Sequence, residues 1–148
     1  KDHQQSLIVE ELARRRGAPV VEVCETSREA DGLARSSRNA RLTESERLEA
    51  LAVSRALMGC DAAWRSGERS SQVLLDAIKA PLLGAPGVSL DYAALREVGA
   101  WTAEEPVGDL SAGVALVAAR VGAVRLIDNL ILGEGELSEI ARARGAEL

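Results

Sequence analysis

Thr43-Glu44-Ser45-Glu46 opens the segment whose local structure is dictated most fully by its own residues. A threonine hydroxyl at this position accepts the amide of Glu46 while the Glu46 carboxylate returns to the amide of Thr43, the reciprocal arrangement of a capping box. Behind it Leu48, Leu51, Ala52, Leu57, Cys60 and Trp64 recur mostly at three- and four-residue spacings, which predicts an amphipathic helix to about Ser66, ended by Gly67. Such a helix has to bury one stripe. The rest of the chain must therefore supply an apolar surface for it.

Residues 113–132 carry two apolar runs that flank "RVGA" as in an antiparallel hairpin, and the alternating "VSLDYAALREV" at 88–98 reads as a strand. Asp128 and Asn129 would mark a bulge or strand end, or act as a structural hydrogen-bonding pair that holds the sheet. A second helix is predicted over about Ser70 to Leu83, with Pro81 limiting its end, followed by a turn at "GAPG" and a loop over 99–112. Ile8, Val9, Leu12 and Ala13 share a face of a helix over 3–16, and "VVEVCE" at 20–25 reads as a strand. That helix and strand form half of an α/β repeat, with partners upstream of residue 1. The fold class expected is α+β: a small, mainly antiparallel sheet with helices, preceded by a helix–strand unit.

Composition narrows the function. The 148 residues suit one ordinary core, and the aromatic set is Trp64, Trp101 and Tyr92, so Leu, Val, Ile and Ala must build it. Few stacking platforms and a formal charge of -5 oppose a nucleic-acid partner. Cys24, Cys60 and His3 cannot complete a four-ligand zinc site, and two small buried thiols in a reduced cytoplasmic protein are expected. "GVALVAARVGAV" is interrupted by Arg120 well short of a membrane span, so no membrane partner is expected. The opening "KDHQQ" lacks an initiator Met and reads as a piece of something longer.

Residues 28–41 carry Arg28, Arg35, Arg38 and Arg41 against Glu29 and Asp31, four cations less two anions, or +2 inside an acidic chain. Arginine forks suit phosphate oxygens, and Ser36 and Ser37 add short donors. Asp31-Gly32 supplies a tight turn, and a helix N-terminus follows. By composition alone such a loop is more often solvent-facing punctuation before a cap. The order of its residues says more.

"KDHQQ" at 1–5, "READGLARSSRN" at 28–39 with L-T-x-x-x-R at 42–47, "DYAALRE" at 91–97 and "AARVGAVRLIDN" at 118–129 fall in one order with characteristic gaps. In these blocks the chain resembles the pantothenate synthetase family of ligases, which join pantoate to β-alanine. The resemblance implies a mechanism similar to class I aminoacyl-tRNA synthetases. A Rossmann-type N-terminal domain binds ATP and pantoate, and a smaller C-terminal domain closes over them. Residues 1–26 then end the nucleotide-binding domain, 27–132 form the C-terminal lid domain, and 133–148 are a charged tail without family counterpart.

Position by position, Lys1 and Asp2 match the end of a "GEKD" motif against ATP, with Lys1 near the phosphates. Gln5 matches the glutamine that binds pantoate, and Ser27 a backbone contact to adenosine. Arg35, Ser36, Ser37 and Arg38 occupy the phosphate-gripping segment. Lys1, Ser36, Ser37 and Arg38 are the residues from which catalysis, electrostatic in kind, is expected. The resemblance implies ATP and Mg²⁺, with the metal ligands in the N-terminal domain and none in this chain. It leaves open a homodimer through that domain.

The chain also departs from the family pattern. The paired histidines of "HxGH" are absent, and His3 stands where Tyr or Phe is usual. Glu25 replaces Pro, Arg35 replaces Met or Leu, and Ala123-Val124 replaces a Thr pair. Glu25 near a nucleotide would oppose phosphate binding and Arg35 would offset it. The expectation is a chain not competent alone. The alternative is a non-catalytic α+β interaction or regulatory module derived from the fold.

Overall fold

A computed structural model of the protein describes residues 2–17, 19–98 and 104–134; Lys1, Trp101 and, of the tail expected over 133–148, residues 135–148 lie outside the described residues. Three helices, α1 (His3–Arg16), α2 (Glu44–Arg65) and α3 (Ser71–Leu83), accompany three strands, β1 (Val88–Glu97), β2 (Gly113–Val121) and β3 (Val124–Ile131). The strands form one antiparallel sheet in the order β1-β2-β3. The α+β architecture expected from the sequence is the one observed.

The capping box forms as written. Thr43 Oγ1 accepts the Glu46 amide at 3.3 Å and Glu46 Oε2 accepts the Thr43 amide at 2.8 Å. Val53, Leu57, Cys60 and Trp64 make the buried stripe of α2, with Leu51 and Ala52 half-buried at its margin, whereas Leu48, expected on the same stripe, is exposed; Leu74, Leu75, Ile78 and Leu82 make that of α3. Both meet one face of the sheet, where Ala115, Val117 and Ala119 of β2 and Leu130 of β3 join them in the main core. Small residues on the central strand let Leu57 and Ile78 approach it closely without an aromatic filler. Pro81 falls in the last turn of α3, so the hydrogen bond it forgoes disturbs only the end of the helix.

The hairpin turn lies at Gly122-Ala123. Gly122 has φ +54°, and a Cβ there would collide with the Glu46 carboxylate, so the turn of the sheet and the cap of α2 share one constraint. The irregularity of the sheet is in β1, where the register shifts between Leu90 and Tyr92. Asp128 and Asn129 instead sit inside the β3 ladder opposite Val117 and Leu116, which corrects the reading of them as a bulge or strand end.

Two further expectations change, those for the strand at 20–25 and for Cys24. The strand predicted at 20–25 does not form: residues 19–27 have no regular structure and lie outside any ladder, because a strand needs neighbouring backbone groups and the described sheet offers them none. The apolar face of α1 is open, with Ile8, Val9 and Leu12 each about half exposed and no residue of the helix buried. Cys24 is exposed with its segment, whereas Cys60 is buried.

Three outcomes follow from this packing. Burial and the neighbouring Asp61 push the Cys60 thiol up to about 12, so a thiol reagent at neutral pH labels Cys24 alone, and both cysteines in denaturant. Because the unfolded chain releases that proton near the ordinary thiol value of 9.0, this contribution to stability is full below that value and declines as pH rises above it. Thr43→Ala removes the reciprocal cap and lowers stability by about 1 kcal/mol in urea titrations.

Candidate functional site

Residues 27–35 fold into a small hairpin. The Glu29 amide donates to the Leu33 carbonyl at 2.9 Å, the Arg35 amide to the Ser27 carbonyl at 2.9 Å, and Arg28 and Ala34 form a bridge. The turn is made by Asp31, whose carboxylate accepts the Leu33 amide at 3.1 Å, and by Gly32 at φ +92°. Ser36 then caps a short 3-10 turn, Ser37–Arg41, its Oγ accepting the Arg38 amide at 3.3 Å. Local hydrogen bonds therefore fix Arg35 to Arg38 as one bend.

Two side-chain networks hold the hairpin from below. In the first, Arg28 grips Asp128 of β3 with both arms, Nη1 to Oδ2 at 2.7 Å and Nη2 to Oδ1 at 3.0 Å. Nη1 also donates to the Gly32 carbonyl at 3.1 Å and Nη2 to the Asn129 carbonyl at 3.2 Å. In the second, buried Asn39 donates through Nδ2 to Glu29 at 2.9 Å and to the Ala34 carbonyl at 3.1 Å. Arg47 of α2 closes that network by donating to Glu29 at 2.7 Å and Asp31 at 2.6 Å. The Asn39 amide, then Arg47, hold the Glu29 carboxyl below the usual carboxylate range.

The outward side is different. Arg35 spends its Nε on the Arg28 carbonyl at 2.9 Å and lines an open recess with Glu29, Ala30, Ser36 and Ser37. Ser37 and Arg38 are exposed, and among the described residues neither the Ser37 hydroxyl nor the Arg38 guanidinium has a hydrogen-bond partner. Ser36 and Arg38 also border a narrow recess that reaches Asn39 and Asp128. Such a bend can bind an anion: fixed backbone, hydroxyls, and guanidinium groups with free donors.

The other expected site residues are dispersed. Asp2 caps α1 by accepting the Gln5 amide at 3.3 Å. With His3 and Gln4 it borders a recess against Tyr92, Asp128 and Asn129, which shares Ile127 and Asp128 with the recess of Ser36 and Arg38. Burial lowers the pKa of His3. Gln5 is exposed on α1 and is not in that recess, Ser27 is exposed with its carbonyl engaged by Arg35, and Lys1 lies outside the described residues. Among the described residues no three His, Cys, Asp or Glu side chains are placed to hold a metal ion.

Sequence reasoning counted Arg28 among the loop's free cations, whereas it is buried. The signal was available in β3: Asp128 alternates in phase with Val124, Leu126 and Leu130 on the covered face and so demands a buried cation.

The fold and its bend define a compact α+β module that presents an arginine–serine anion loop. Residues 1–131 match the family described as Pantoate-beta-alanine ligase, and the chain belongs to that family. It is 41% identical over 133 residues to a pantothenate synthetase of Gluconobacter oxydans, covering 89% of this chain and 48% of that protein. The crystal structure of pantothenate synthetase from Thermus thermophilus superposes with a TM-score of 0.79 at 34% identity, over 89% of this chain and 47% of that one. A pantoate-β-alanine ligase from Francisella tularensis, complexed with β-γ ATP and β-alanine, shares the fold with a TM-score of 0.54 at 24% identity, over 91% of this chain and 42% of that one. The chain thus spans about half the length of the relatives it matches.

The second network gives a pH dependence with a definite sign. Glu29 titrates below its ordinary value in the folded protein, so its contribution to stability is full above the usual glutamate range and is lost as pH falls through and below it. Glu29→Gln flattens that acid limb, read as the urea midpoint against pH.

Proposed function

We propose that this chain is the C-terminal portion of an ATP-dependent ligase that condenses pantoate with β-alanine through a pantoyl adenylate, giving pantothenate, AMP and pyrophosphate. The observation that carries the reading is the Arg35–Arg38 bend, with unengaged donors on a doubly anchored base, inside a chain of this family. Residues 1–26 end the nucleotide-binding domain and 27–132 form the lid that brings the bend to ATP. The ATP compound held by the Francisella relative is consistent with that substrate.

In the first step the pantoate carboxylate attacks the α-phosphorus of ATP and pyrophosphate leaves. In the second the β-alanine amine attacks the acyl carbon and AMP leaves. Ser36, Ser37 and Arg38 donate to phosphate oxygens as charge shifts toward pyrophosphate, and Arg35 adds a further cation at the recess. Lys1 by the same reading approaches the phosphates, Asp2 lies against ATP, the Ser27 backbone contacts adenosine, and Gln5 contacts pantoate. Closure of the lid shields the adenylate from water. Mg²⁺ accompanies ATP in this reading. By the same reading its ligands belong to the N-terminal domain.

The same reading makes the protein a cytoplasmic small-molecule enzyme without nucleic-acid or membrane partners, and leaves open a homodimer through its N-terminal domain. Among the described residues no helix is long and apolar enough to cross a membrane.

Pantoate-dependent exchange of pyrophosphate into ATP tests the proposal. The complete protein exchanges and this chain alone does not. In the complete protein Arg38→Ala lowers exchange by about 100-fold, in the range for losing one transition-state donor, with an unchanged melting midpoint. Absence of exchange in the complete protein sinks the ligase reading and leaves a non-catalytic module of the same fold.

A further inference from the structure

We infer that the Arg28–Asp128 ion pair is a positioning device for the Arg35–Arg38 anion loop, setting its geometry and keeping its surroundings electrostatically open to phosphate; the phosphate part rests on the ligase reading above. Arg28 and Asp128 side chains are 2% and 3% exposed, so neither reaches a ligand directly. Their influence runs through what they hold. The guanidinium joins β3 to the tip of the hairpin at Gly32, and the Arg28 carbonyl receives Arg35 Nε at 2.9 Å. A displacement of Arg28 therefore moves the first residue of the bend.

Charge acts independently of this geometry. Asp128 borders the narrow recess that Ser36 and Arg38 also line. An uncompensated carboxylate there would repel a phosphate bound at Ser36 and Arg38, and the effect is large where water is scarce. Arg28 meets both carboxylate oxygens and cancels it.

Stability alone does not account for such a pair. Replacing a buried ion pair by apolar residues of similar volume is often neutral or stabilising. What an apolar pair cannot reproduce is the set of bonds to the Gly32 and Asn129 carbonyls, which fix where the hairpin stands on β3. Arg28 and Asp128 are positioning residues and not catalytic ones.

The test uses the complete protein carrying Arg28→Met with Asp128→Leu, a near-isosteric apolar pair, and separately Arg28→Lys, which keeps the charge and loses the fork. In both, the expected result is a KM for ATP raised about tenfold, a modest share of what an ångström-scale misplacement costs, with KM for pantoate within about twofold. Hydrogen exchange without substrate gives the second readout. The amides of Leu33, Arg35 and Asn39 exchange about tenfold faster while those of Leu74 and Ile78 in α3 are unchanged, the mark of local rather than global opening. If the double variant fails to fold, Arg28→Lys carries both readouts. Unaltered loop exchange with unaltered KM for ATP, or exchange accelerated equally throughout, reduces the pair to a stabilising contact and overturns the inference. A wild-type protein without ligase activity overturns the functional reading instead, and exchange at Leu33, Arg35 and Asn39 still decides whether the pair positions the loop.

Discussion

Asp128 places a carboxylate on the covered face of β3, between Leu126 and Leu130, and much of the structure follows from the need to satisfy it. Taking a carboxylate out of water costs several kcal/mol even after relaxation, and only a well-formed partner offsets that. The partner comes from 100 residues earlier in the chain. Arg28 can deliver its fork to Asp128 only if residues 27–35 turn back on themselves, because the same guanidinium also serves the Gly32 carbonyl. The Asn129 amide supplies a further donor to Asp128 at 2.8 Å, so the carboxylate is met by side chain and backbone together. Sheet and loop thereby become one structural unit, with closure entropy that grows only slowly with the length of chain between them.

A second buried carboxylate is handled in the same manner at the other end of the core. Asp61 of α2 is fully buried and accepts Arg65 at 2.8 Å and the Gly133 amide at 2.6 Å, pinning the chain just beyond β3 to the helix. Trp64 lies beside it, with the Arg69 guanidinium 3.9 Å above its ring. Between these two polar anchors the core is aliphatic, with alanines on the central strand and leucines on the helices. Mainly aliphatic packing, with Trp64 as the one aromatic among the described core residues, specifies register weakly. The buried ion pairs and the Glu46–Gly122 contact contribute the directional bonds and close fit that it lacks.

What could be read from the chain divides along the same physical line. The cap at Thr43, the stripe of α2, α3 with its late proline and the glycine hairpin were legible because each is determined within a few residues. The resemblance carried the order of the blocks and the loop at 28–39. The strand at 20–25 was misread because β-branched composition marks a segment able to pair, whereas pairing requires a neighbour. Cys24 went with it, since a small thiol is buried only if its segment is. The face of α1 was legible as a pattern, yet its burial depends on a surface that the described residues do not provide. The Arg28–Asp128 pair was half visible: Asp128 was read as structural, but nothing local in either residue names the other.

The same contacts sort the charges of the loop. Composition gives residues 28–41 a uniform +2, but the structure separates structural charge from available charge. Arg28 is neutralised by Asp128, and Glu29 and Asp31 are turned toward Arg47 of α2. The cations left on the outside are Arg35, Arg38 and Arg41, so a protein of net charge -5 presents a positive surface at this bend. Arg35 strengthens that surface without loosening the bend, because its Nε takes the Arg28 carbonyl while its outer nitrogens have no partner among the described residues. Arg35 thus adds a donor at the recess of Ser36 and Ser37 while binding the loop to the residue that anchors it.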